Sequence, residues 1–401
     1  MDSLDILERA YGRPSVISDG SKLSIDYLPE NLPFREQDLV ALSNYFSGAL
    51  DGNLSSNRVI ITGSVGVGKT SVAKKFGQWI EYKSQQIQRN VRYVHVNCRR
   101  VKTPFMILLS IVKELQGKVA NRGYAADELL DMVIAILEEQ RSTLILVLDE
   151  VEYIIPKGGV DLLYAFTRTA DDKRTYNHNI GLILIARSSN FLSYLDQSTI
   201  SSLSAPIIEI SPYSSDELSI IVKDRVRECF VPGSVTEDSI QLIADIAEKR
   251  GGDARHAIEL LYIAGKRANI EGDSLVYPEH VRSAKANVDP SLLKDVITGL
   301  HPHKLMLLLA ISRLLRRTKK AYITTGTAEK EYALIAEELG EDPRKHTQFW
   351  EYLQELEING VINMERSSKG QRGNTKYISI LDLSLHDLEK EVVPRLQKLL
   401  N

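Results

Sequence analysis

The residues best suited to chemistry form a glycine-rich run, Gly63-Ser64-Val65-Gly66-Val67-Gly68-Lys69-Thr70-Ser71. The run satisfies G-x-x-x-x-G-K-[ST]. The apolar stretch RVIIT (58–62) before it and the helical SVAKKFGQWI after it supply the strand and helix that this motif needs. Glycines allow positive φ and let backbone N–H groups close on phosphate oxygens. The positive end of the following helix faces the same anion. Lys69 would put a charge between the β- and γ-phosphates, and the Thr70 hydroxyl would ligate Mg2+. A glycine-rich turn matching by chance is the plainer alternative, but it leaves the flanking strand and helix unexplained.

A second chemical pair ends another apolar run, TLILVLDE (143–150). Asp149 is placed to bind Mg2+, and Glu150, the candidate catalytic residue, to polarise a water. Strands often end in acids, so the pair means little alone. Downstream of a phosphate loop it points to hydrolysis of ATP to ADP, with ATP/ADP and Mg2+ as cofactors.

These groups need elements to hold them. The runs at 58–62, 91–98, 143–150, 180–186 and 206–211 are short, apolar, and separated by helical patterns. That alternation predicts a five-stranded parallel sheet covered on both faces, an α/β doubly wound layer. From 214 to about 287 the strands give way to short amphipathic helices. Helices predicted at 291–318, 328–339 and 343–358 are followed by strands at 361–366 and 376–381, which describes a winged helix. The predicted divisions are a flexible arm over 1–25, a nucleotide-binding domain over 26–212, a helical domain over 213–288 and a winged helix over 289–401.

The chain has 401 residues, 43% hydrophobic and 26% charged, with a net charge of −3, so any nucleic acid must be held by local patches rather than bulk attraction. No apolar stretch suits a membrane span, and MDSLDILERA is acidic rather than signal-like. Cys98 and Cys229 lie far apart without metal-ligand spacing, which fits a reducing interior. A cytoplasmic, nucleoid-associated protein with no membrane partner is expected.

In the third winged-helix helix, Asp342 is read as N-cap and Pro343 as the first helical residue. Phe349, Leu353 and Leu356 then fall on the core face, while Arg344, Lys345, Gln348 and Tyr352 fall on a face suited to a major groove. The wing offers Arg366, Lys369, Arg372 and Lys376 against the single acid Glu365, suited to phosphate and minor-groove contact. Arg313, Arg316, Arg317, Lys319 and Lys320 at the end of the first helix read first as a solvated helix end.

Several strings together resemble a known family. Tyr27-Leu28-Pro29-Glu30-Asn31-Leu32-Pro33-Phe34-Arg35-Glu36, LILVLDEVEYI, LLYAFTR (162–168), FLSYLD…SSL (191–203) and Gly252-Asp253-Ala254-Arg255 occur in the order found in archaeal origin-recognition AAA+ initiators, homologues of cell division control protein 6. The resemblance covers roughly 25–385. It implies an AAA+ core with a helical lid, binding to double-stranded origin DNA, and initiation of DNA replication with ATP/ADP as a switch. It also implies other origin-recognition paralogues and the replicative helicase as partners. It makes Tyr213, Arg225 and Arg255 nucleotide contacts, the last reaching for the γ-phosphate; the plainer readings are a core-edge tyrosine and surface arginines. The helix at 104–118 resembles the family's extra element, with Arg122-Gly123 beside it. Two positions depart from the family. Arg187 stands where an asparagine is usual, and Asp196-Gln197-Ser198 replaces a stretch whose arginine completes a neighbour's site. Slow, even single-turnover, hydrolysis is therefore expected. Two other readings remain: a STAND-like regulatory ATPase or transcriptional regulator with an internally packed winged helix, and a clamp-loader-type motor.

Overall fold

A computed structural model describes residues 15–24, 26–51, 57–117, 119, 123–171, 179–286, 297, 299–366, 376–381 and 383–400. The chain divides into two compact units, Leu28–Tyr213 and Met1–Tyr27 with Ser214–Asn401.

In the first unit, β1 (Arg58–Thr62), β2 (Val91–Asn97), β3 (Thr143–Asp149), β4 (Asn179–Ile185) and β5 (Ile207–Glu209) form the expected sheet. Their order is β2-β3-β4-β1-β5 and every pairing is parallel. Strand side chains alternate between faces. Leu144, Leu146 and Leu148 of β3 pack on α3 (Pro104–Gln116), α4 (Ala126–Glu139), α5 (Gly159–Asp171) and α6 (Gln197–Leu203). Ile145 and Val147 pack on α1 (Glu36–Tyr45) and α2 (Lys69–Gln86). Both faces of β3 are dry, which is why it reads as an unbroken apolar run, while the edge strands β2 and β5 are partly exposed. In the order β2-β3-β4-β1-β5 the chain leaves β1 to one side and returns to β5 on the other, the arrangement that in open α/β sheets puts ligand sites at the strands' carboxyl ends.

The second unit holds α7 (Ser215–Cys229), α8 (Glu237–Lys249), α9 (Ala254–Glu271) and α10 (Pro278–Ala286), followed by a winged helix. The latter comprises α11 (Pro302–Thr318), β6 (Ile323–Thr324), α12 (Thr325–Glu338), α13 (His346–Ile358), β7 (Asn363–Arg366), β8 (Lys376–Ser379) and α14 (Leu385–Leu400), with the sheet ordered β6-β8-β7. Ser214, Thr236 and Asp253 cap α7, α8 and α9 through their side chains.

Local expectations need correcting, and the first winged-helix helix, expected over 291–318, is helical only from Pro302 among the residues after 298. The arm over 1–25 is not loose from residue 15 onward: Ile17 bridges Phe230, the Val231 N–H donates to Val16 O at 2.9 Å, and Val16 and Leu23 are buried. Helix α13 starts at His346 rather than Pro343. Lys345 is its extended N-cap, with φ −66° and ψ 158°. Helix α14 was not expected. Leu385, Leu388, Val392 and Leu396 carry a helical period, but Pro394 argues against a helix; burial of that stripe against the winged-helix core outweighs the lost hydrogen bond.

The four-helix module is fastened to the winged helix by hydrogen bonds from two charged residues of α10, Arg282 and Glu279. Arg282 of α10 is 1% exposed; its Nε donates to Ile380 O at 2.7 Å and one Nη to Ala321 O at 3.0 Å. Glu279, 3.7 Å from Arg282, accepts the Leu385 N–H at 2.9 Å. Burial pulls the guanidinium down to about 10 and raises the Glu279 carboxyl. Arg282→Ala strands that carboxylate and several carbonyls, and is expected to cost about 3–5 kcal/mol in denaturant unfolding. A loss no larger than a surface pair's, below about 1 kcal/mol, would show the fastening to be dispensable.

Candidate functional site

The loop after β1 needs its glycines. Gly63 has φ 148°, and a Cβ there would lie 2.6 Å from Ile210 O. Gly68 caps α2 with φ 98°, in the left-handed region, where a side chain would press on the Tyr213 hydroxyl at 3.2 Å. Val67 is fully buried and anchors the turn, while Ser64 and Val65 are exposed. Lys69 Nζ donates to Gly63 O at 2.7 Å and Ser64 O at 2.6 Å, so its charge sits over the loop. Thr70 and Ser71 open α2.

Thr70 and Asp149 meet across the end of β4. The Thr70 hydroxyl donates to Asp149 Oδ2 at 2.7 Å, and His95 Nε2 lies 3.2 Å from the same oxygen. Asp149 is 3% exposed. Burial alone would raise its carboxyl, but hydrogen bonds from His95 and Thr70 outweigh it and hold the group below its usual value. An ionised carboxylate beside a hydroxyl is a hard-oxygen donor set that fits Mg2+. Glu150 follows in the left-handed region, φ 55° and ψ 47°, a conformation costing on the order of 1–2 kcal/mol for a non-glycine residue. Asn97 Nδ2 donates to Glu150 Oε2 at 3.1 Å, and Arg99 lies 3.8 Å from Oε1.

Tyr213 lies beside the loop. Its buried ring stacks on the Arg35 guanidinium, 3.7 Å from carbon to centroid. Arg35 donates to Val67 O at 3.0 Å and Ser211 O at 2.8 Å, joining the loop to the chain leaving β5. In the second unit Arg225 is buried, donates to Lys22 O at 2.6 Å and covers the Tyr27 ring at 4.5 Å. Arg255 is exposed in the first turn of α9. Sequence reasoning missed Asn97, Arg99 and His95, although polar residues at or just past a parallel strand's carboxyl end are the available signal.

In the winged helix Phe349, Leu353 and Leu356 are fully buried, while Arg344, Lys345 and Gln348 are exposed together. The Arg344 N–H donates to Tyr332 Oη at 3.2 Å, which fixes this lead-in to α13. Tyr352 does not share that exposure. It is half-buried and stacks on His301 and His303, with centroids 6.4 and 6.5 Å away. Lys376 lies over the Trp350 ring at 5.1 Å. Lys369, Arg372 and Arg122 lie outside the described residues. The basic cluster of α11 is paired: Arg313 with Glu338 at 3.4 Å, Arg316 with Glu389 at 3.0 Å and Arg317 with Glu331 at 2.7 Å.

Family models match along the chain: an AAA domain over 55–195, a Cdc6 AAA+ ATPase-type lid domain over 219–286 and a CDC6 C terminal winged helix domain over 295–390. The chain is 35% identical over 384 residues to ORC1-type DNA replication protein 2 of Sulfurisphaera tokodaii, covering 94% of this chain and 92% of the relative. It is 36% identical to the protein of the same description from Saccharolobus solfataricus, covering 95% of each. Among solved structures, Cdc6p from Pyrobaculum aerophilum matches with a TM-score of 0.84 at 30% identity, over 96% of this chain and all (100%) of that one. The Aeropyrum pernix ORC1 protein, solved in complex with DNA, matches with a TM-score of 0.63 at 28% identity, again over 96% and 100%.

Arg35→Ala removes ties to both sides of the loop and the stack on Tyr213. Isothermal titration with ATP and ADP should show both weakened by about tenfold, the worth of about one charged hydrogen bond. Unchanged affinity for both would mean that the loop holds its shape without Arg35.

Proposed function

The chain belongs to the family of ORC1/Cdc6-type DNA replication proteins, and from that premise we propose that it is an ATP-dependent origin-binding protein in which nucleotide state sets how the winged helix holds double-stranded DNA. The observation that carries the reading is the contact of Thr70 with Asp149 beside a positive-φ glycine loop, in a chain that also presents Arg344, Lys345 and Gln348 on an exposed helix lead-in. The family favours this reading over the regulator and clamp-loader alternatives.

The loop residues Gly63 to Ser71 would hold the phosphates, with Thr70 and Asp149 the ligands of Mg2+. That ion, when bound, supplies positive charge to the phosphates. Glu150, oriented by Asn97, is the acceptor for a water proton. Tyr213, Arg225 and Arg255 remain nucleotide contacts by resemblance. Hydrolysis is slow or single-turnover, because Asp196-Gln197-Ser198 offers no arginine to a neighbour. The four-helix module and the winged helix share one unit fastened by Arg282, so a change at the module is passed to the DNA reader. Other origin-recognition paralogues and the replicative helicase are partners by family resemblance alone. Among the described residues no helix is long and apolar enough to cross a membrane.

Lys69→Ala should weaken ATP binding by at least about tenfold. Glu150→Gln should keep ATP affinity while slowing turnover by about 100-fold or more, measured as phosphate release. An undiminished Glu150→Gln rate would remove Glu150 from the chemistry.

Footprinting on genomic origin DNA should show protection that survives random competitor. Lys369/Arg372→Ala and Arg344/Lys345→Ala should each weaken it, the salt-dependence slope falling by about 1 for every phosphate no longer neutralised. Equal binding to random DNA, with neither variant affected, would sink the origin-binding assignment.

A further inference from the structure

Strand β2 sends two side chains toward the start of α2. The Tyr93 hydroxyl donates to Ala73 O at 2.8 Å, and its ring lies 2.5 Å from where a Cβ on Gly77 would stand. His95, two residues on and so on the same face of the strand, reaches the end of β3: its Nε2 lies 3.2 Å from Asp149 Oδ2. An ionised carboxylate only accepts hydrogen bonds, so Nε2 carries the proton and donates it. The His95 side chain is 15% exposed and Asp149 is 3% exposed, which leaves little water to compete for the bond.

Oδ2 of Asp149 thus receives two donors from two elements, the Thr70 hydroxyl of α2 at 2.7 Å and the imidazole of β2. With its proton directed at Asp149, the Thr70 hydroxyl keeps its lone pairs for a cation. That orientation lasts only while the carboxylate plane is fixed. The torsion that turns a carboxylate is broad, and one hydrogen bond leaves it free to swing. A second donor on the same oxygen, arriving from another strand, stops the swing. A ring that only filled space would need no nitrogen at this place. The bond also lowers the cost of burying Asp149, which is a structural role; the two roles part in the response to Mg2+.

We infer that His95 is a positioning residue for the metal: it fixes the Asp149 carboxylate so that Thr70 and Asp149 present their oxygens to Mg2+ together, and the metal-dependent part of ATP binding depends on it. The inference rests on the phosphate-loop reading above and extends it to a residue that acts only through Asp149. Groups that orient a metal's ligands are commonly worth about 10- to 100-fold in metal affinity.

The test is isothermal titration of the full chain with ATP, once in excess Mg2+ and once in EDTA, for wild type, His95→Phe and His95→Gln. The ratio of the two affinities is the gain that the metal brings. His95→Phe keeps a ring and removes the donor; it should cut that gain by about tenfold and change the affinity in EDTA by no more than about twofold. His95→Gln, whose amide N–H can reach the same oxygen, should recover most of the gain. An unchanged gain in His95→Phe, an equal loss with and without Mg2+, or a His95→Gln no better than His95→Phe overturns this inference alone. Wild-type protein that binds no ATP, or binds it equally in Mg2+ and in EDTA, overturns the phosphate-site reading and this inference with it.

Discussion

The chemistry depends on keeping one carboxylate ionised where water hardly reaches it. Asp149 is buried at the end of β3, and only the donors around its oxygens make the charged form tolerable there. His95 arrives on the neighbouring strand; Thr70 arrives from the helix that follows the phosphate loop. The sheet order makes this possible, because β4 separates β1 from β3 by a single strand and the loop after β1 bridges the gap. Left-handed backbone at Gly63 and Gly68 on one side, and at Glu150 on the other, is the local cost of bringing those ends together.

The second unit solves a different problem. Two small helical modules in one unit must be held in register, and a flexible tether alone would not do so. Arg282 and Glu279 tie α10 to the turn before β6, the end of β8 and the start of α14. Buried ion pairs contribute little net stability compared with apolar packing, but they punish misalignment. That suits a joint whose geometry matters more than its strength. The turn before α13 is held in the same way, with the Arg344 backbone hydrogen-bonded to Tyr332.

The two departures from the family pattern belong together. A neighbour's arginine has no counterpart at Asp196-Gln197-Ser198, while an arginine stands after β4 where an asparagine is usual.

The strands, the phosphate loop and the acidic pair were legible because each is written in contiguous residues. An apolar run of five to seven residues and a glycine spacing survive any change in how the elements later pack. The start of α13 and the closing helix α14 were not legible: Pro343 suits a first helical position yet stays outside the helix, and the buried stripe of α14 outweighs Pro394. Nor were the partners of the chemical residues: Asn97 to Glu150, His95 to Asp149 and Arg35 to Val67 join residues 32 to 54 positions apart. Local sequence determined which chemical groups this protein owns and on which kind of element each sits. Which group faces which was decided only when the parallel sheet brought its strand ends to one edge, because hydrogen bonds and charges act over a few ångströms of space, whatever the distance along the chain.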